Sequence, residues 1–158
     1  METIGNNDLL ALRKTGFLCA SGATSGDVVR CMDWAMSLPQ DACIVGGFQT
    51  PLERDVLHLL LKRRIAVVVL LARRMYKQMP PHLQTAIEAG RALVMSTSAA
   101  TRTTKAAAYE RNEQVAAMSD TLAFGALSPT SSLYPIYTKH KDQKPTTLIG
   151  VCTDQRKP

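Results

Sequence analysis

Apolar residues in this chain gather into short unbroken runs, and the stretches between them carry apolar positions at three- and four-residue spacing. Short runs suit strands buried on both faces, and the wider spacing suits helices with one apolar stripe. Strands are predicted at 16–20, 42–45, 65–71, 91–96, 121–125 and 147–151. The third, Ile-Ala-Val-Val-Val-Leu-Leu, shows no polar alternation and reads as an interior strand. Helices are predicted at 27–38, closed by Pro39, at 51–64, from Pro80-Pro81 to Gly90, and at about 103–119. The second carries three start signals together: Thr50 at the cap, Pro51 in the first turn and Glu53 at the third position. The strand–helix alternation predicts a single α/β domain over 1–158 in three layers, a mainly parallel sheet of about six strands between helices. Residues 1–14 and 153–158 are expected to be peripheral or frayed.

Composition narrows the class. A chain of 158 residues with 46% hydrophobic and 20% charged residues has enough material for one globular core. Its longest apolar run, 65–72, falls far short of the roughly 18 residues that span a membrane. The start METIGNNDLLALRK lacks a basic segment followed by an apolar one, so the expectation is a cytoplasmic protein with no membrane contact. Cys19, Cys31, Cys43 and Cys152 form no C-x-x-C pair and no His-matched spacing, so neither metal nor cofactor is expected. The formal net charge of +6 favours an anionic partner such as a nucleotide, a nucleic acid or a phosphorylated metabolite. Part of that excess lies in the tail, at Lys139, Lys141, Lys144, Arg156 and Lys157.

Candidate chemistry collects where predicted strands end. Ligands of such sheets bind outside the carboxyl ends of the strands, near the point where strand order reverses. The loop SGATSG after the first strand could wrap an anion, although it is not G-x-G-x-x-G. Gly46-Gly47 lies before a helix whose positive end points the same way, a pattern that lets backbone approach a phosphate. Glu53 is accounted for by the capping box; its other reading is a catalytic carboxylate. Arg73 and Arg74 end the third strand, where either could clamp a phosphate or face solvent. Arg111 is the oddest placement. It aligns with Ala108, Val115 and Met118 on a helical stripe, so a cation sits where apolar residues belong and must be paired or face a ligand. His58, His82 and His140 are scattered and form no triad spacing.

With those residues in view, the chain resembles the SLOG superfamily of Rossmann-like nucleotide-binding proteins, and within it the DprA/Smf (DNA-processing) branch. The carriers are Val45-Gly46-Gly47 before a helix, Ala72-Arg73-Arg74 before the Pro-Pro helix start, Arg111-Asn112 with Ser119-Asp120 downstream, and Ser131-Ser132-Leu133, which looks like the Ser-Gly-Ser-Leu turn of DprA. The resemblance implies a Rossmann-like domain that binds single-stranded DNA, forms a homodimer and hands DNA to a recombinase. It departs at VGGFQTPLE, which stands where DprA has S-G-G-A-R-G-I-D. The sister Lonely Guy (LOG) phosphoribohydrolases are more distantly similar, through Glu110-Arg111-Asn112. Their catalytic Glu falls in a segment that here reads ALSPTSSLYP and holds no carboxylate.

The expectation is therefore a non-catalytic binding protein for a nucleotide or single-stranded nucleic acid, using Gly46, Gly47, Arg111, Asn112 and Ser132, with Arg73 as an outer cation. The alternatives are a nucleoside monophosphate phosphoribohydrolase using Glu53, and a structural module without a ligand. Self-association is expected through the Pro51 helix, which carries Leu52, Val56, Leu57, Leu59, Leu60 and Leu61.

Overall fold

A computed structural model describes residues 1–150, and the last predicted strand therefore runs partly, at residue 151, outside the described residues, as does 153–158. Seven strands, β1 (Glu2–Gly5), β2 (Thr15–Cys19), β3 (Cys43–Gly46), β4 (Ala66–Leu71), β5 (Ala92–Ser96), β6 (Thr121–Gly125) and β7 (Thr146–Ile149), form one sheet in the order β1-β5-β4-β3-β2-β6-β7. Every pairing is parallel except that of β1 with β5. Five α-helices connect them: α1 (Ser25–Ser37), α2 (Pro51–Lys62), α3 (Pro81–Glu88), α4 (Lys105–Met118) and α5 (Tyr134–His140).

Strand alternation divides the core in two. Phe17, Ile44, Val67, Val69, Val94 and Ala123 face one side, where they meet Cys31 of α1, Val56 and Leu60 of α2 and Leu83 of α3. Leu18, Val45, Val68, Leu70, Leu93 and Phe124 face the other, against Val115 and Ala116 of α4 and Ile136 of α5. Apolar residues on both sides of β3, β4 and β5 explain why their sequences show no polar alternation. Each fully buried aliphatic side chain contributes about 1.5–3 kcal/mol, so the unexposed Leu60 and Ile65 are among the residues the fold depends on.

Of the two expectations for residues 1–14, peripheral or frayed, the segment is peripheral and ordered. β1 adds an edge strand that raises the count above the expected six, and a 3-10 turn at Asn7–Ala11 buries Leu9. Lys14 is buried with its Nζ donating to the carbonyls of Leu10 and Leu12. Gly5 permits this: at φ 124° it lies so close to the Ala92 carbonyl oxygen that a Cβ would stand 2.3 Å from it. ETIG is too short and too polar to announce a strand. α5 was likewise not expected from sequence; it closes over β6, with the Tyr137 ring edge-on to Phe124 at 5.5 Å.

Candidate functional site

Strand order fixes where a ligand cleft can form. β3, β4 and β5 step outward from β2 on one side, whereas β6 and β7 step outward on the other. The reversal falls between β2 and β6, and α4 carries the chain across it. At the carboxyl ends of these strands lies a cavity of about 270 Å³. Cys19, Ala20 and Ser21 line it from the end of β2, Gln49, Thr50 and Glu53 from the start of α2, Ala108, Arg111 and Asn112 from α4, and Ser132 and Leu133 from the turn after β6.

Arg111 is only 4% exposed, on the same buried stripe of α4 as Val115. Its Nε–H donates to Asn112 Oδ1 at 2.9 Å, one terminal nitrogen to Gln49 Oε1 at 2.9 Å, and the other to the Leu70 carbonyl at 3.3 Å. Those bonds use three of the five guanidinium N–H groups, and each acceptor is neutral. Among the described residues no carboxylate stands within ion-pair distance of it. Burial pulls its pKa down, and the more distant Glu53 carboxylate opposes that shift. Of the two alternatives, pairing or facing a ligand, an internal salt bridge among the described residues is not what holds this cation; two amide oxygens and a main-chain carbonyl orient it.

Glu53 is 5% exposed and fully engaged. Its Oε1 accepts from the N–H groups of Gln49 (2.9 Å) and Thr50 (3.0 Å), and its Oε2 from the N–H of Cys19 (3.0 Å). Thr50 Oγ1 completes the box by accepting from the Glu53 N–H. The carboxylate therefore joins the end of β2 to the start of α2.

Gly46 and Gly47 end an interior strand beside the α2 N-terminus, as expected, but both are buried behind the cavity. A Cβ on Gly47 would lie 2.3 Å from Arg111 Cζ, so this glycine makes room for the guanidinium. A Cβ on Gly46 would meet the Phe17 carbonyl oxygen and the Phe48 ring, each at 3.1 Å. The left-handed turn falls on neither. It falls on Phe48, at φ 50°, a strained choice for an aromatic residue, whose buried ring packs beside Phe17. The SGATSG loop spends Thr24 as the cap of α1.

Arg111, Asn112 and Ser132 thus share one cavity, with Asn112 orienting Arg111 and Ser132 exposed at the rim. Arg73 does not line it; the guanidinium stacks over the Tyr76 ring at 5.6 Å. Gln49 and Thr50 were not singled out as site residues. Their signal was position, immediately after the glycine pair and before the helix. Cys19 lies deep against Cys31, and its thiol pKa is pushed far up by the hydrogen bond to Cys31 and by burial. Burial pushes Cys43 up to about 11 against the opposing charge of Lys14. Among the described residues no cluster of His, Cys, Asp or Glu could hold a metal, and no helix is long and apolar enough to cross a membrane.

No protein-family model matches the chain, and no curated protein does. Solved structures do. DNA processing protein A (DprA) from Streptococcus pneumoniae superposes with a TM-score of 0.73 at 14% identity over 91% of this chain and 52% of that one. DprA from Helicobacter pylori, a structure concerned with that protein's single-stranded DNA binding mode, gives 0.66 at 19% identity over 91% and 68%. The chain spans about half the length of the S. pneumoniae protein. Its three-layer α/β architecture is the Rossmann-type fold of the DprA proteins.

Proposed function

We propose that this chain is a non-catalytic binding protein for a phosphate-bearing ligand, a nucleotide or a single-stranded nucleic acid, received in the cavity at the strand-order reversal. The buried Arg111 guanidinium carries the reading. Among the described residues it has no ion-pair partner, it retains unused donors, and it lines a cavity whose other polar groups are amides, hydroxyls, the Cys19 thiol and the Glu53 carboxylate, whose oxygens are already taken by main-chain N–H groups. A planar, always-charged fork is the side chain suited to a phosphate. Asn112 and Ser132 supply the neighbouring polar contacts, Gly47 allows the guanidinium its position, Gly46 packs beneath, and Arg73 serves as an outer cation. A volume of about 270 Å³ lies at the small end of ligand sites, which suits one nucleotide unit at a time. The single-stranded DNA binding of the H. pylori protein that shares this fold agrees with the polymer form of the ligand.

Catalysis by Glu53 is disfavoured by its bonds. Three main-chain N–H groups occupy its two oxygens, which suits a fixed clamp and not a proton carrier. Residues 126–133 also offer no carboxylate to stabilise an oxocarbenium-like centre.

Fluorescence anisotropy with labelled oligothymidylate and labelled adenosine monophosphate tests the proposal. Saturable binding that weakens with salt is expected. Arg111→Ala should cost about 1.5–3 kcal/mol for each charge-assisted bond lost, and Arg111→Lys should recover little because the fork is gone. Unchanged affinity in a folded Arg111→Ala protein overturns the assignment. Release of ribose phosphate from the monophosphate establishes hydrolysis in its place.

A further inference from the structure

β2 and α1 bring two cysteines to one spot beside the cavity, and ligand binding calls on neither. Cys19 ends β2 and Cys31 lies midway along α1, both buried in the core layer between the sheet and that helix. A glycine makes their meeting possible. Gly125 stands directly opposite Cys19 on β6. A Cβ at Gly125 would lie 2.7 Å from Cys31 Sγ and 3.3 Å from Cys19 Sγ, so the missing side chain is space that the two sulfurs share. Across that space the thiols are hydrogen-bonded to each other.

Two features set this pair apart from cysteines that only fill a core. The first is the direction of the hydrogen bond. Cys19 donates to Cys31, which draws the Cys31 pKa down against the effect of burial and pushes that of Cys19 up. A thiolate is the reactive form of cysteine, so one sulfur is eased toward that form while the other keeps its proton. The second is access. Cys19 lines the cavity at the carboxyl ends of the strands, which gives a solute little larger than water a way to the pair. Cys43 has neither feature. It is the only cysteine in the core layer on the opposite face of the sheet among the described residues, and burial raises its pKa.

We propose that Cys19 and Cys31 form a redox modification site that closes reversibly to a disulfide, with hydrogen peroxide or another small peroxide as the oxidant. The thiolate sulfur attacks one peroxide oxygen, the O–O bond breaks, and the departing hydroxide takes up a proton to become water. The second sulfur then attacks the sulfenic sulfur so formed. The S–O bond breaks, the S–S bond forms, and hydroxide leaves with the remaining thiol proton as a second water. Two thiols thus lose two electrons to one peroxide, and an added dithiol reverses the step by exchange. The crosslink ties the end of β2, where the Cys19 N–H donates to Glu53, to the middle of α1. The inference stands apart from the ligand reading and needs no ligand for its test.

Peroxide treatment of the native chain, followed by trypsin and non-reducing mass spectrometry, provides that test. Cleavage after Arg30 separates the two cysteines, so the disulfide should join peptides 15–30 and 31–54 at a mass two hydrogens below their sum. Fragmentation of the joined peptides should place the link at Cys31 and not at Cys43, which lies on the same peptide. Dithiothreitol should release both peptides with their thiols restored, and the far-ultraviolet circular dichroism should be the same before and after. Cys31→Ser should lose the joined species. Both cysteines still reduced at the end of a peroxide series reaching millimolar concentration overturns the proposal. So does a link from Cys19 to Cys43 or Cys152 in place of Cys31, or uptake of oxygen by either thiol that dithiothreitol does not reverse and that yields no link.

Discussion

α1 and α2 begin with the same device and put it to different uses. Thr24 and Asp27 form a capping box on α1, as Thr50 and Glu53 do on α2. The threonine hydroxyls accept from the third N–H at 3.1 and 3.2 Å, and the carboxylates return to the cap N–H at 2.9 and 3.0 Å. Beyond that the two diverge. Asp27 stays at the surface and meets Arg30 at 3.2 Å, one turn away on its own helix. Glu53 is buried, and its second oxygen crosses to the Cys19 N–H on β2. The same cap closes a turn in one case and ties a helix to a neighbouring strand beneath the cavity in the other. One added methylene and the loss of water make the difference.

The largest expected effect tests that contrast directly. Glu53→Ala strands the buried N–H of Cys19 and the part-buried N–H groups of Gln49 and Thr50, and each lost acceptor costs about 1–3 kcal/mol, most at Cys19. A total near 3–5 kcal/mol is expected in urea unfolding, against about 1 kcal/mol for removal of a purely local cap. Glu53→Gln keeps the shape but turns an amide NH₂ toward N–H donors, so it should fall between. A loss of about 1 kcal/mol for Glu53→Ala would reduce Glu53 to an ordinary cap.

The two glycines after β3 sharpen the same comparison on the loop that Glu53 anchors. A Cβ at position 47 would sit 2.3–2.5 Å from three atoms of the Arg111 guanidinium, whereas at position 46 its closest contacts are at 3.1 Å. Gly47→Ala should therefore destabilise by about 1–3 kcal/mol through overpacking, and it should weaken ligand binding because the guanidinium must move. Gly46→Ala should cost less and spare binding. Equal losses in melting temperature and affinity for the two variants would mean that Gly47 is not the seat of Arg111.

These contrasts mark how far sequence alone reached. The parallel core was legible because β3, β4 and β5 are buried on both faces, and burial writes itself as unbroken Val, Ile and Leu. The Pro51 helix start was legible because capping is a local pattern. Arg111 stood out because a cation broke an apolar stripe. What stayed hidden depends on contacts between distant residues: the bond from Glu53 to Cys19, the seat that Gly47 provides for Arg111, and the antiparallel docking of residues 2–5 against β5. Two adjacent glycines suggested a phosphate loop, yet here they relieve internal crowding and leave the left-handed turn to Phe48. Periodicity reports which face is buried, not what lies opposite it.

The smallest predicted effect belongs to the surface box, and pH isolates it. Asp27 accepts from the Thr24 N–H and hydroxyl and from Arg30, bonds that together hold its carboxyl below the ordinary value of 3.8. A carboxyl whose folded pKa is depressed stabilises the fold above its unfolded value, and that contribution disappears as pH falls through the folded one. Asp27→Asn keeps a capping oxygen but cannot titrate. At pH 7 the variant should melt a little below wild type, by less than the roughly 1 kcal/mol of a full cap. As pH is lowered from 5 toward 2 the gap should close, since wild-type Asp27 becomes neutral too, and the other carboxyls titrate alike in both proteins. A gap that holds constant through that range would show that Asp27 acts through shape alone. Glu53→Gln measured beside it sharpens the contrast at neutral pH, where the buried clamp should lose several times what the surface cap loses.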